Sequence, residues 1–141
     1  MTTDTQSELA QELRDWARGM TTLQAATEML IRGGYAGEGR RWIRYDEDNR
    51  RHWIDFASIP DLIGALSGGE RRFLSIATSL AADEPIVLGD EVAGLDHRHA
   101  NLVLAAIAAA AGFDKPTRTI VFVGDEPQRA IAPALYDWPT E

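Results

Sequence analysis

The stretch from Leu66 to Leu104 constrains the fold of this 141-residue chain more than any other segment. It opens on Ser67–Glu70, where a serine and a glutamate three residues apart form the capping-box pattern that starts a helix. Apolar residues at helical spacing follow, which predicts a helix to about Ala82. Pro85–Leu88 then predicts a short buried strand. A turn rich in glycine and acids leads from it to Asp96, which would cap a second, mostly apolar helix.

The segments on either side predict a small α+β domain. Residues 1–6 are polar and expected to fray, residues 7–34 are expected to form a helical pair, and residues 41–56 a β-hairpin with two aromatic-rich arms. Residues 118–123 predict another strand, parallel to the strand before Gly89 in a right-handed β-α-β crossover. A short final helix from Pro127 and a tail over residues 132–141 complete a single domain, in which a small sheet packs with helices.

Charge and composition exclude several classes of function. The formal net charge is -8 and the sequence pI is about 4.8. Because binding to phosphates needs a positive face, DNA binding is not expected, and a basic protein surface is the better partner. The chain has no cysteine, no signal-peptide pattern and no apolar run long enough to cross a bilayer. We therefore expect a cytoplasmic protein that makes no membrane contact.

Three motifs in the central stretch resemble the C-terminal half of ABC-type ATPases, in order and in spacing. Leu66-Ser-Gly-Gly-Glu70 resembles the signature motif, Pro85–Glu91 the Walker B strand, and Gly94-Leu-Asp96 the D-loop. The ABC-like half of the chain spans residues 58–131. The resemblance implies a surface that contacts the nucleotide of another subunit, formed by Ser67, Gly68, Gly69 and Glu70. It also implies that Asp90 holds Mg²⁺ through water and that Glu91 is the general base.

The chain departs from the ATPase pattern where hydrolysis depends on it. Val92 replaces the proline that normally follows the Walker B glutamate, and no switch histidine follows Val123. Gly34–Arg41 imitates the spacing of a P-loop, but arginines replace both the lysine and the Mg²⁺-binding hydroxyl. We therefore predict no catalytic residue, no ATPase activity and no cofactor of its own, with ATP and Mg²⁺ met only in trans.

Each ABC-like motif also has a purely structural explanation. The Ser67–Glu70 pattern is a complete helix cap by itself. Asp90 and Glu91 could join Asp125 and Glu126 at strand ends to bind Mg²⁺, or all four could be turn acids in solvent. His97 and His99 are two residues apart, which places them on different sides of a helix and predicts surface residues.

A second resemblance covers almost the full chain. The segments Asp15-Trp-Ala-Arg-Gly-Met20, Ala25–Gly34, Trp53–Arg72 and Leu135-Tyr-Asp-Trp-Pro139 are similar to a group of small mycobacteriophage proteins. This resemblance implies a phage accessory protein that acts in the cytoplasm of a bacterial host.

The predicted hairpin carries a second candidate surface. Arginines alternate with aromatic residues there, a composition that suits a protein interface or single-stranded nucleic acid. The same pattern describes the solvated face of an ordinary hairpin. The candidate interface residues are Arg41, Trp42, Arg44, Tyr45 and Trp53.

These observations lead to one principal hypothesis and two alternatives. The principal hypothesis is a non-enzymatic phage protein that binds a host bacterial protein by mimicking the ABC signature surface. The alternatives are a degenerate Mg²⁺-dependent ATPase or hydrolase, and a binder of single-stranded nucleic acid. The sequence names no specific partner, and it leaves self-association open.

Overall fold

The computed structural model describes residues 2–140. Within that range the chain forms six α-helices, a 3₁₀ turn and four β-strands. In chain order the elements are α1 (Thr2–Ala17), α2 (Thr21–Gly33), β1 (Ile43–Asp46), β2 (Arg51–Ile54), the 3₁₀ turn (Phe56–Ser58), α3 (Ile59–Leu62), α4 (Gly68–Ala82), α5 (Leu88–Val92), α6 (His97–Ala110), β3 (Thr117–Val123) and β4 (Glu126–Ala132).

The two N-terminal helices form the predicted pair, but α1 begins earlier than the sequence indicated. It starts at Thr2, so residues 2–6, which were expected to fray, are assigned to the helix, while Met1 lies outside the described residues. Asp4 lies in the first turn, where a negative charge interacts favourably with the helix dipole. α2 ends at Gly33 and is capped by Gly34, whose φ of 87° is left-handed and lets its N–H reach the carbonyls of the last turn.

The main core lies where α2, α4 and α6 meet. Met29 and Leu30 of α2 and Phe73 and Leu74 of α4 are fully buried. Burying a side chain of this size contributes about 1.5–3 kcal/mol. On the facing side of α6, small residues such as Ala106 are also buried and allow the helices to approach closely. The α+β class predicted from the sequence is confirmed.

The first hairpin, β1–β2, is antiparallel as predicted and rests on α1. Its register pairs Arg44 with Trp53 and Tyr45 with His52. The Trp53 ring lies 6.4 Å from that of Trp16, and the backbone N–H of His52 donates to Glu12. The hairpin is therefore attached to the helices by an aromatic contact and by a polar one.

The predicted strand over residues 85–88 is wrong. The chain there is irregular up to Val87 and then forms the short helix α5, with Asp90 and Glu91 in its first turn. Pro85 donates no backbone N–H to a strand ladder, and acids in a first helical turn stabilise the helix dipole. Without this strand the predicted β-α-β crossover does not form.

The strand predicted over residues 118–123 is confirmed as β3, but its partner is different. It pairs antiparallel with β4, so the short helix predicted from Pro127 is also wrong. Gly124 has a φ of 63° at the first position of the two-residue turn, where a type II′ hairpin turn requires glycine. A partner that is next along the chain costs little loop-closure entropy, which favours a hairpin over a distant parallel pairing.

Among residues 2–140, no helix is both long and apolar enough to cross a bilayer.

Candidate functional site

The signature-like segment is the N-terminus of α4. Ser67 is the N-cap, and its Oγ accepts a hydrogen bond of 3.3 Å from the backbone N–H of Glu70. In return the backbone N–H of Ser67 donates to Oε1 of Glu70 at 3.2 Å. The predicted capping box is therefore present. Hydrogen bonds from Ser67, first from its side chain and then from its backbone, lower the pKa of Glu70.

The D-loop-like turn lies directly against this helix start. A Cβ added at Gly69 would lie 3.8 Å from the carbonyl oxygen of Gly94, and a Cβ at Gly94 would overlap the guanidinium of Arg72. The same guanidinium lies 2.9 Å from the Cβ position of Gly68. Arg72 thus fills the space between two turns that are distant in sequence, and glycines at positions 68 and 94 leave room for it.

A chain of hydrogen bonds connects the acidic residues of the two turns beneath the surface. The Tyr35 hydroxyl donates to Oε2 of Glu70 at 3.3 Å, and its oxygen lies 2.9 Å from Nε2 of His99. Nδ1 of His99 lies 2.9 Å from both carboxylate oxygens of Asp96. Since an ionised carboxylate only accepts, Nδ1 carries the proton. The chain Glu70–Tyr35–His99–Asp96 therefore fixes the signature-like turn relative to the D-loop-like turn.

Burial dominates the electrostatics in the middle of this hydrogen-bond chain, and hydrogen bonds dominate at its two acidic ends. Tyr35 and His99 are only 4% and 6% exposed. Burial, followed by the charge of Glu70, raises the pKa of Tyr35 to about 12. The backbone N–H and then the side chain of His99 lower the pKa of Asp96. At neutral pH the chain therefore has a carboxylate at each end and a protonated phenol in the middle.

Asp90 and Glu91 lie beside basic side chains. They line an open cleft of about 470 Å³ together with Arg71 and Arg72. The expected convergence with Asp125 and Glu126 does not occur, because those two residues belong to the separate β3–β4 hairpin. Within the described residues, no group of three or more histidines and acids is placed to hold a metal ion. The positive charge of two arginines lining the same cleft disfavours a cation there.

The P-loop-like segment is a structural loop that follows a helix. Arg40, at the position of the P-loop lysine, lies over the rings of Tyr35 and Trp42, 5.2 and 5.7 Å from their centroids. Its Nη2 also donates to the carbonyl of Gly34. Arg40 therefore stabilises the fold through cation–π contacts and a loop hydrogen bond.

The hairpin candidates divide between core and surface. Trp42 is 3% exposed and donates its Nε1–H to the carbonyl of Tyr35 at 2.8 Å, so it belongs to the core. Trp53 is half-buried against α1, and Arg44 is paired with Asp55 at 2.6 Å. Arg41 and Tyr45 are exposed, Tyr45 by 52%. Among these candidate residues, the one exposed aromatic ring is that of Tyr45, and it packs edge-to-face on His52 with centroids 5.0 Å apart, whereas stacking of several bases would need several open rings.

Sequence reasoning missed three residues that shape the site: Tyr35, Arg72 and His99. The prediction that His99 lies on the surface is wrong, because its ring packs 4.7 Å from that of Phe73. One signal was available: His99 lies three residues after the N-cap Asp96, so its backbone N–H donates a hydrogen bond to the capping carboxylate. Tyr35 and Arg72 had no such signal, because their partners lie far along the chain.

A comparison with curated proteins finds a partial match. The chain is 31% identical over 111 residues to ABC transporter G family member 23 of Arabidopsis thaliana. The match covers 78% of this chain, but the chain spans only 14% of the length of that transporter. No protein-family model matches the chain, and no solved structure matches it significantly. The partial match is consistent with the ABC-like motifs.

Proposed function

We propose that this chain is a non-enzymatic phage accessory protein that binds an ABC-type ATPase of its bacterial host, in the host cytoplasm. The signature-like turn would be the contact surface, facing a nucleotide held by the host protein. The observation that carries the proposal is the packing of the Ser67–Glu70 turn against the Gly94–Asp96 turn at an exposed helix start. The two ABC-like motifs of the proposed interface thus lie side by side.

The physical basis is the electrostatics of a helix N-terminus. The first N–H groups of α4 have no carbonyl partner within the helix, and the dipole gives this end a partial positive charge, which favours an anion. Gly68 and Gly69 carry no side chains at this helix start, and the Arg72 guanidinium beside Gly68 adds a positive charge that also favours an anion. In ABC-type dimers each signature completes the ATP site of the other subunit. A chain with this surface alone would occupy that position and block productive dimerisation.

Binding rather than hydrolysis fits the rest of the site. Arg40 is engaged with Tyr35 and Trp42, where an ATPase would place its P-loop lysine. Asp90 and Glu91 share their cleft with arginines. We therefore expect no ATP binding by the isolated chain in a calorimetric titration with Mg²⁺ present.

The first experiment is an affinity pull-down from mycobacterial lysate, with and without ATP·Mg²⁺, followed by mass spectrometry. The proposal expects an ABC-type ATPase whose recovery increases with nucleotide. The affinity of that purified ATPase for the chain would then be measured with a non-hydrolysable ATP analogue. A partner unrelated to ATPases, or recovery that is independent of nucleotide, would contradict the proposal.

Two substitutions at one position separate docking from capping. Ser67→Asp keeps a good N-cap but places a negative charge towards the phosphate, so affinity should fall by at least about tenfold (about 1.4 kcal/mol) while the fold stays stable. Ser67→Ala loses the cap, about 1 kcal/mol of stability, but adds no repulsion and should retain binding. Gly69→Asp should act like Ser67→Asp. If Ser67 is only a cap, Ser67→Ala will be the harmful substitution and Ser67→Asp will bind normally.

A further inference from the structure

The hairpin β3–β4 exposes apolar side chains that a stable monomer would cover. Ile120, Phe122 and Ile131 are 62%, 70% and 73% exposed. Nearly every position of both strands is open to solvent, so neither face of the ribbon packs on the helices. An isolated two-stranded hairpin is marginally stable in water, and its outer edges present unpaired N–H and C=O groups that can accept another strand.

The hairpin register determines which backbone groups point outward. The two-residue turn closes on the pair Val123 and Glu126, and such a pair exchanges hydrogen bonds within the hairpin. Counting back from Val123, every second residue of β3 bonds to β4. The N–H and C=O groups of the residues between them, Arg118, Ile120 and Phe122, therefore point away from β4. The outer edge of β3 therefore presents three consecutive sets of donors and acceptors with no proline among them.

The outer edge of β4 is less suited to pairing. Its outward positions are those of Pro127, Arg129 and Ile131, by the same alternation. Pro127 has no N–H to donate. Two copies of this edge that meet about a two-fold axis at the strand centre would place Arg129 opposite Arg129 of the second copy, and like charges in that position repel.

We propose that a second copy of this chain adds to the β3 edge, antiparallel, about a two-fold axis at Ile120. The product is a four-stranded sheet in the order β4-β3-β3-β4. In this register all seven residues of each β3 strand find a partner. Ile120 faces Ile120 of the second copy, Arg118 faces Phe122, and Thr119 faces Val121. In this register the outward N–H and C=O groups of Arg118, Ile120 and Phe122 in one copy face the same groups of the second copy, so they can form the hydrogen bonds between the two β3 strands.

Charge complementarity supports this register over the one centred on Arg118. The two-fold axis at Ile120 brings exposed Lys115, two residues before β3 of one copy, to the end of the sheet where exposed Asp125 follows β3 of the other, and the pair occurs twice by symmetry. An axis at Arg118 would instead bring two arginines together. Exposed ion pairs contribute little affinity, so their effect is to favour one register and to make association sensitive to salt.

This surface is separate from the signature-like turn, and the inference does not depend on the proposed function. Sedimentation velocity over a range of concentrations would measure the mass of the full chain. The expected result is a shift from 15.5 kDa towards twice that mass as the concentration rises. A chain that remains monomeric up to its solubility limit would overturn the proposal.

Proline substitution on the two edges provides a matched pair. Ile120→Pro removes an outward N–H of β3, whereas Arg129→Pro removes an outward N–H of β4, and the two residues are paired across the hairpin. Ile120→Pro should raise the dimer dissociation constant at least about tenfold, and Arg129→Pro should leave dimerisation intact. Equal effects of the two variants would overturn the β3 assignment.

Two further measurements keep the test independent of folding defects in the proline variants. In the wild-type protein, exchange of the Arg118, Ile120 and Phe122 amides should slow as concentration rises, while the amides of the alternate residues should change little. Lys115→Glu should weaken the dimer, and Lys115→Glu combined with Asp125→Lys should restore it. Amide exchange that is independent of concentration, or a double variant as weak as the single one, would count against the register.

Discussion

The two hairpins of this protein are built alike and are used differently. β1–β2 has strands of four residues, yet Ile54 and the adjoining Trp42 are almost fully buried. β3–β4 has strands of seven residues and leaves most of its apolar side chains in solvent. The shorter hairpin rests on α1, while the longer one is paired only with itself along its length. Strand length and β-propensity therefore formed both hairpins, but contact with other elements decided which one joined the core.

The largest contrast should appear when isoleucine is truncated in each hairpin. Ile54→Ala should cost about 2–5 kcal/mol of unfolding free energy, because it leaves a cavity at a position that is 2% exposed. Ile131→Ala, at 73% exposure, should stay within about 0.5 kcal/mol in dilute protein. Urea unfolding of both variants measures the difference. Equal costs would mean that the second hairpin is covered in solution even at low concentration.

A smaller loss of unfolding free energy should follow when the buried hydrogen bond of Trp42, next to the first hairpin, is removed. Trp42→Phe removes the donor to the carbonyl of Tyr35 and leaves that buried acceptor unsatisfied, which should cost about 1–3 kcal/mol. The control is Tyr45→Phe in the same hairpin, where the ring is half exposed and little change is expected. Thermal or urea unfolding compares the two variants. No loss in Trp42→Phe would mean that water replaces the donor.

The turns of the two hairpins should respond in opposite directions to substitution. Arg50 in the β1–β2 turn has a φ of 53°, which strains a side chain, whereas Gly124 in the β3–β4 turn has a φ of 63° without strain. Arg50→Gly should be neutral or stabilising by up to about 1 kcal/mol, and Gly124→Ala should destabilise its hairpin by about 1 kcal/mol. Global unfolding tests the first variant, and amide exchange over residues 117–123 tests the second. If both substitutions stabilise the protein, or both destabilise it, the assignment of backbone strain to Arg50 but not to Gly124 is wrong.

The smallest effect is a pH dependence tied to the first hairpin. Burial alone would raise the pKa of Asp55, but hydrogen bonds from Ser58 and Arg44 outweigh it and hold that pKa below its ordinary value. A carboxyl whose folded pKa is lowered contributes stability above its unfolded pKa, near 3.9, and loses it as pH falls through the folded value. Unfolding free energy should therefore fall with acid below about pH 4, and less so in Asp55→Asn. Identical acid slopes would remove Asp55 as a cause.

Local signals in the sequence predicted well, and pairings between distant residues did not. Ser67 and Glu70 cap α4 as their spacing indicated, because the atoms that bond lie within one helical turn. Pro85–Leu88 looked like a strand because it is short and apolar, but it found no neighbour to pair with and its acids favoured α5. The helix expected at Pro127 lost to a hairpin, because β3 needed a partner and the residues after its turn were the nearest.

The candidate site shows the same division. The residues of the two ABC-like turns were found from sequence, since each turn is a contiguous motif. No pattern in the sequence indicated that Arg72 fills the space between them, or that Tyr35 and His99 connect Glu70 to Asp96 below the surface. These contacts join residues from different helices and loops, and their spacing in the chain has no period that a pattern can detect.

By itself the sequence determined the helices α2, α4 and α6, the turns that begin and end them, and the α+β class. Capping, periodicity and turn geometry depend on neighbours within a few residues, so the chain encodes them locally. Only the tertiary structure decided the strand pairing of β3, the burial of Trp42 and His99, and the contact between the two ABC-like turns. The free energy of those features comes from surfaces that become neighbours only after the chain has folded.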